Sequence, residues 1–241
     1  QLDDSMNDLD ARHALLDENN IDIQLLSFGA IDVGWMGGEA PEVARAINDD
    51  LASVAATSHR FRFLAAVPLD DPIEVSDILA DAVANGAVGV GLTTTYRGLP
   101  LDAKELRAGW SVVAEVGLPI SIHPCLPRLG QDRTGGEFIP AGFPAETSLA
   151  AARVIISGLL EQMPALRLLW SHCGGGTCMV MGRISAALRM TGSPRDIGDF
   201  LDRSYFDVVT ADSLVIRSAA EAFGVDHLVY GTDMPHRLES P

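Results

Sequence analysis

Seven short apolar runs alternate with segments whose apolar residues fall at helical spacing, and this alternation limits the fold more than any other feature of the chain. The runs lie near residues 21–28, 61–67, 88–92, 119–123, 166–172, 204–209 and 227–231. In the fifth, Leu166, Leu168, Leu169 and Trp170 leave almost no polar alternation, the mark of a strand buried on both faces. Buried strands that alternate with helices build a parallel sheet. Right-handed crossovers then leave an open doubly wound sheet or a TIM-type (β/α)8 barrel. An open sheet gathers its ligands at one switch point, whereas polar residues here end strands throughout the second half of the chain, as around a barrel mouth. The barrel is the expected fold, as a single domain over 1–241. The chain opens on a helix patterned by Met6, Leu9, His13 and Leu16 and stops soon after Asp233, so the first strand and the final helix of the barrel are expected to be absent from it.

Three strands share a polar tip. The run Leu166 to Trp170 reaches His172 and a turn of three glycines, Pro119 to Ile122 reaches His123, and His227 to Tyr230 leads to Asp233. Counting back in twos places Trp170 and Leu168 behind His172, Ser121 and Pro119 behind His123, and Gly231 and Val229 behind Asp233. Each tip is thus expected to continue one face of its strand, with Gly231 leaving room beside Asp233. Gly174, Gly175 and Gly176 resemble an anion-binding turn before a helix. No G-x-x-x-x-G-K-[ST] loop accompanies them, which argues against a nucleotide.

The helices read from caps and stripes. Pro41 opens one with Val43, Ile47, Leu51 and Val54 inward. Asp71 and Glu74 resemble a capping box before a stripe of Val75, Ile78, Leu79 and Ala82, closed at Gly86. Asp102 and Glu105 are expected to cap the next helix, with Leu106, Trp110 and Val113 inward. Further helices are expected over about 145–162, 180–190 and 212–223. The segment Pro124 to Pro144 is long, irregular and rich in proline and glycine, a length of loop that is usually either functional or disordered.

Charge narrows the function classes. A net charge of −16 argues against a nucleic-acid or anionic-membrane surface, and no apolar run is long enough to span a bilayer. Three cysteines, an odd number, suit a reducing compartment, so a cytoplasmic location is expected. A small carboxylate remains a possible substrate if a few arginines are local. Arg97, Arg128 and Arg133 fall in loops after strands that reach the mouth, and His236 follows Asp233 closely; these four are the candidate substrate contacts. Each also has a plainer reading as a surface residue. His13 reads as a packed core residue, His59 as solvated, and His227 as lying at the opposite, stability face. Cys125 and Cys173 neighbour the candidate histidines but read as ordinary free thiols.

The segments PISIHP, GFPAETSLAA, LLWSHCGGG, GRIS and YGTDMPH, in this order, resemble the amidohydrolase-related family. Within it they are most similar to the branch of metal-dependent decarboxylases around aminocarboxymuconate semialdehyde decarboxylase and resorcylate decarboxylase. The resemblance implies a divalent metal, most often zinc, at the barrel mouth. It implies His123 and Asp233 as ligands and His172 as the acid/base beside the metal. A further pair of ligands, His-x-His or Glu-x-His on the first strand, would precede Gln1. Relatives of this kind are often dimers, so a homodimer is expected.

Three functions follow as alternatives. The first is a lyase that removes CO2 from a small unsaturated or aromatic carboxylic acid, with His172 supplying the proton that replaces it. The second is a metal-dependent hydrolase of a lactone, amide or C–C bond, in which His172 and Asp233 handle protons. The third is a non-catalytic barrel serving as a binding or assembly module. The motifs do not separate the first two, and the resemblance favours the lyase.

Overall fold

The computed structural model describes residues 8–125, 138–210 and 212–234. All seven expected strands are present: β1 (Gln24–Leu26), β2 (Phe61–Ala66), β3 (Ala87–Thr93), β6 (Ile120–His123), β7 (Leu168–Trp170), β8 (Ser204–Asp207) and β9 (Leu228–Val229). A two-residue hairpin, β4 (Thr95–Tyr96) with β5 (Leu99–Pro100), follows β3 and was not expected. The seven strands form one parallel sheet in the order β1-β2-β3-β6-β7-β8-β9, so each strand lies beside the next in sequence. A doubly wound sheet must reverse its order; this one never does, and it curls as seven staves of a TIM-type barrel. Among the described residues no pairing joins β9 back to β1.

Register fixes which side chains look inward. Ala66 lies beside Gly91, Gly91 beside Ser121, Ser121 beside Leu169 and Leu169 beside Tyr205, so these five form one row across the inner face. The next row upward begins with Thr93 beside His123. The intervening residues face the helices: Ile120, Ile122, Leu168, Trp170 and Phe206 are fully buried, and Trp170 packs on Phe200 of α8 (Ile197–Leu201) with ring centroids 5.8 Å apart.

The helical layer is α1 (Leu9–Glu18), α2 (Ala40–Ala56), α3 (Pro72–Ala84), α4 (Arg107–Val116), α5 (Phe143–Ser157), α6 (Leu159–Gln162), α7 (Thr177–Met190), α8 and α9 (Ser213–Phe223). The stripes expected for α3 and α4 are buried as read. Their caps are not all as expected. Asp71 accepts from the amides of Ile73 and Glu74, but Glu74 turns away to Arg45 at 2.7 Å instead of closing a capping box. Asp102 does not cap α4; it holds Arg153 through two bonds of 2.7 and 3.1 Å, and a short 3-10 turn at Lys104–Leu106 leads into the helix. The most buried face of α2 is Ala40, Ala44 and Asn48, with Ile47, Leu51 and Val54 only partly covered. A polar residue takes the central place because Asn48 clamps β2, donating to the Ala66 carbonyl at 3.0 Å and accepting from its amide at 2.8 Å. The helix expected over 145–162 is broken at Gly158 into α5 and α6, and α8 was missed because five residues carry too little periodicity. Met6 lies outside the described residues, while His13 of the same stripe packs on Phe61 at 4.9 Å, as a core histidine should. His59 is exposed, and His227 is tied to the Ser204 carbonyl at 2.8 Å, at the strand ends opposite the mouth.

Candidate metal centre

His123 is the last residue of β6 and the one candidate delivered by strand geometry alone. Ser121 and His123 alternate with buried Ile120 and Ile122, and both line an open cleft at the mouth. The His123 Nδ1 lies 2.8 Å from the carbonyl oxygen of Pro124. A carbonyl can only accept, so Nδ1 carries the proton and Nε2 presents its lone pair. That lone pair lies 3.9 Å from Asp233 Oδ1.

His172 reaches the same place by another route. β7 ends at Trp170, whose side chain faces the helices, so an unbroken strand would send His172 outward as well. Positive φ at His172 (56°) and Cys173 (53°) instead turns the chain and brings the imidazole to the mouth. Left-handed backbone at two successive non-glycine residues is strained, and strain of this kind collects at functional sites. The turn is over-determined by its neighbours. The Ser171 hydroxyl donates to the Ile122 carbonyl at 3.0 Å, and the Cys173 amide donates to Asp207 at 3.2 Å. Gly175 has φ of 60°, and a Cβ there would lie 2.1 Å from the Pro144 carbonyl oxygen, so α5 packs directly on bare backbone. The glycines therefore make room for protein and not for an anion. Their amides are occupied by Ser171, His172 and the Ser148 hydroxyl. His172 Nε2 lies 4.0 Å from Asp233 Oδ2, while its Nδ1 is buried without a hydrogen-bond partner among the described residues.

Asp233 also departs from its strand. β9 stops at Val229, and Asp233 sits four residues on with φ of 53°. Gly231 makes room beside Asp207 and Val209, where a Cβ would lie 3.0 Å from both, and not beside Asp233 as the parity count implied. One ligand atom from each of His123, His172 and Asp233 lies within 4.8 Å of the others, and all three residues are partly buried. The separations of 3.9 and 4.0 Å are too long for hydrogen bonds. Two donors each about 2.1 Å from one ion can lie at most about 4.2 Å apart, so a divalent ion fits between Asp233 and either histidine. Nitrogen and carboxylate oxygen are the donors that zinc and manganese take.

Around these three the mouth is layered. The Phe143 ring meets His123 edge-on at 5.6 Å and stacks on His172 at 6.0 Å. Asp207, at the tip of β8, accepts from the Cys173 and Val209 amides; burial raises its pKa against the opposing effect of those bonds and of nearby His172. The rule that found the other tips, a polar residue ending a buried strand, would have found Asp207 too. Asp32 lines the cleft, accepts from the amides of Gly34 and Arg97, and is also held above the usual carboxylate range by burial. Cys125 and Cys173 are buried, and burial foremost pushes both thiols up to about 12, which makes them poor nucleophiles at neutral pH.

Of the four substrate contacts expected, Arg97 is described: its guanidinium binds Asp70 at 2.7 Å on the hairpin and is half exposed. Arg128, Arg133 and His236 lie outside the described residues. Among the described residues no helix is long and apolar enough to cross a membrane.

In sequence and fold the chain is similar to known decarboxylases. The chain is 25% identical over 250 residues to the 2-amino-3-carboxymuconate-6-semialdehyde decarboxylase of Dictyostelium discoideum, a match covering 99% of this chain and 69% of that one. It is 30% identical over 258 residues to the gamma-resorcylate decarboxylase of Rhodococcus jostii, covering 94% and 77%. The dihydroxybenzoic acid decarboxylase of Polaromonas sp. JS666, solved with bound manganese and the inhibitor 2-nitroresorcinol, superposes with a TM-score of 0.80 at 26% identity, covering 95% of this chain and 76% of that one. The amidohydrolase family model matches residues 3–240. With motifs, sheet order and a match over nearly its whole length in agreement, the chain belongs to the amidohydrolase family.

Proposed function

We propose that the protein is a metal-dependent decarboxylase, a carbon–carbon lyase that removes CO2 from a small unsaturated or aromatic carboxylic acid. One observation carries the reading: His123, His172 and Asp233, from three separate strand ends, converge within 4.8 Å, with Asp233 at an ion-binding separation from each histidine, in a chain whose relatives are decarboxylases. The hydrolase and the non-catalytic module lack a comparable observation in their favour.

His123, through Nε2, and Asp233 would hold a divalent ion, zinc by family resemblance and manganese as in the Polaromonas relative. When bound, the ion supplies a Lewis acid that orients the substrate's carboxylate or hydroxyl and withdraws charge. His172 supplies the proton that replaces CO2, the general-acid role that imidazole side chains most often fill. Phe143 covers both imidazoles and limits water around them. The cleft that runs from His123 past Ser121, Gly91 and Ser27 would receive the substrate body. Arg97, Arg128, Arg133 and His236 are proposed to meet the substrate, with Arg97 already steadied by Asp70. A single barrel domain, a homodimer and a cytoplasmic setting complete the proposal; the three free thiols suit the last.

The product tests the chemistry. The metal-replete protein is incubated with hydroxybenzoates, unsaturated dicarboxylates, lactones and amides, and bicarbonate is followed in a coupled assay. CO2 release from a carboxylate is the expected result. Turnover of a lactone or amide, with no CO2 from any carboxylate, would replace the lyase with a hydrolase.

A further inference from the structure

We propose that Glu146 is the positioning residue of the metal ligand His123, acting through the peptide bond between Pro124 and Cys125. The proposal rests on the reading of His123 as a ligand.

Glu146 stands in the first turn of α5, inside the GFPAETSLAA segment, and its Oε2 accepts from the Cys125 amide at 3.2 Å. The carbonyl of that same peptide unit belongs to Pro124, and it accepts from His123 Nδ1 at 2.8 Å. A peptide unit is planar, so a bond that fixes its N–H end also fixes the direction of its C=O end. The result is one chain of hydrogen bonds: Glu146 carboxylate, Cys125 N–H, Pro124 C=O, His123 Nδ1–H. Its end turns the Nε2 edge of the ring toward Asp233, whose Oδ1 lies 3.9 Å away. Metal-binding histidines commonly have the second nitrogen held directly by a carboxylate or carbonyl, which sets both tautomer and ring direction. Here the carboxylate acts at one remove.

A second bond braces the same oxygen. The Thr94 hydroxyl donates to Glu146 Oε2 at 3.2 Å, and the Thr94 amide donates to the carbonyl of His123 at 2.9 Å. Thr94 is 2% exposed, so its end of the brace is shielded from water. Glu146 thereby ties the ends of β3 and β6 to α5, while Phe143, one turn earlier on the same helix, packs against the His123 ring. Cys125, between the carboxylates of Asp32 and Glu146 and buried, contributes its amide to the chain of bonds and not its thiol.

The requirement is an acceptor at one place, not a negative charge in the neighbourhood, and two variants separate these. Glu146→Gln keeps an oxygen at the same reach and loses the charge. Glu146→Asp keeps the charge and withdraws the oxygen by one methylene. Binding of Mn2+ alone is measured by EPR of the free ion, with the visible spectrum of bound Co2+ as a second readout and thermal unfolding of the metal-free proteins as the check on folding. Glu146→Gln is expected to bind within about threefold of the unchanged protein, with its Co2+ spectrum preserved. Glu146→Asp and Glu146→Leu are expected to bind at least about tenfold more weakly, the scale of outer-shell effects on metal affinity. Unchanged affinity in a folded Glu146→Asp overturns the proposal, as does a Glu146→Gln as weak as the aspartate. Absence of any Mn2+ binding by the unchanged protein overturns the metal-centre reading beneath it, a result distinct from either.

Discussion

His123 Nε2 and Asp233 Oδ1 face each other across 3.9 Å, too far apart to bond and close enough to share an ion. They arrive from opposite ends of the sheet's second half, one at the tip of a strand and the other four residues past its strand. The chemistry proposed here depends on that gap, and on His172 beside it.

His172→Ala is expected to keep the metal and lose roughly 10² to 10⁴ in rate, the range that general acid–base catalysis contributes. Metal content and steady-state kinetics on the same preparation check it. Loss of the ion together with the rate would make His172 a ligand and not the proton donor, a role its 4.0 Å approach to Asp233 also permits.

Gly175→Ala is expected to destabilise the protein by about 2 kcal/mol or more, through both its left-handed backbone and the close approach of the Pro144 carbonyl. Chemical denaturation measures it. Because the clash lies where α5 meets the His172 turn, activity is expected to fall further than the loss of folded protein accounts for.

Asn48→Ala is expected to cost roughly 2 to 4 kcal/mol, since the two bonds to the Ala66 backbone are buried and both partners are left behind. The same denaturation experiment reads it. A change under about 0.5 kcal/mol, the usual range for surface substitutions, would mean that the clamp holds nothing.

Asp32 gives a pH dependence. Burial holds its carboxyl above the usual range, so its contribution is present below the unfolded pKa and lost as pH rises through the folded one. Asp32→Asn does not titrate and loses one acceptor at every pH. The stability advantage of the unchanged protein over the variant is therefore expected to shrink as pH rises from the ordinary carboxylate value of about 4 toward neutrality. Denaturation curves across that interval check it, and an advantage that widens contradicts the account.

The architecture was legible because burial leaves its mark along whole segments. Every strand of the parallel sheet was found, though not the small hairpin after β3, and the polar tips correctly chose a barrel over a doubly wound sheet. Parity worked for His123, which remains inside its strand with Ser121 on the same face. It failed for His172 and Asp233, because both lie beyond their strands on left-handed residues, and a period of two says nothing once the backbone changes region. Those residues came together for a reason the count could not contain. Asn48, Glu146 and Asp207 escaped notice for a related cause: each serves another segment's backbone, and such pairings leave no local pattern. Asp102 looks like a cap in the sequence for the same want of tertiary information; its partner in the fold is Arg153.

The most direct measurement is the metal content of the purified protein beside His123→Ala and Asp233→Ala, each shown to be folded. About one divalent ion per chain is predicted for the unchanged protein, and loss of most of it in both variants. Full occupancy in both would contradict the metal centre on which the proposed chemistry stands.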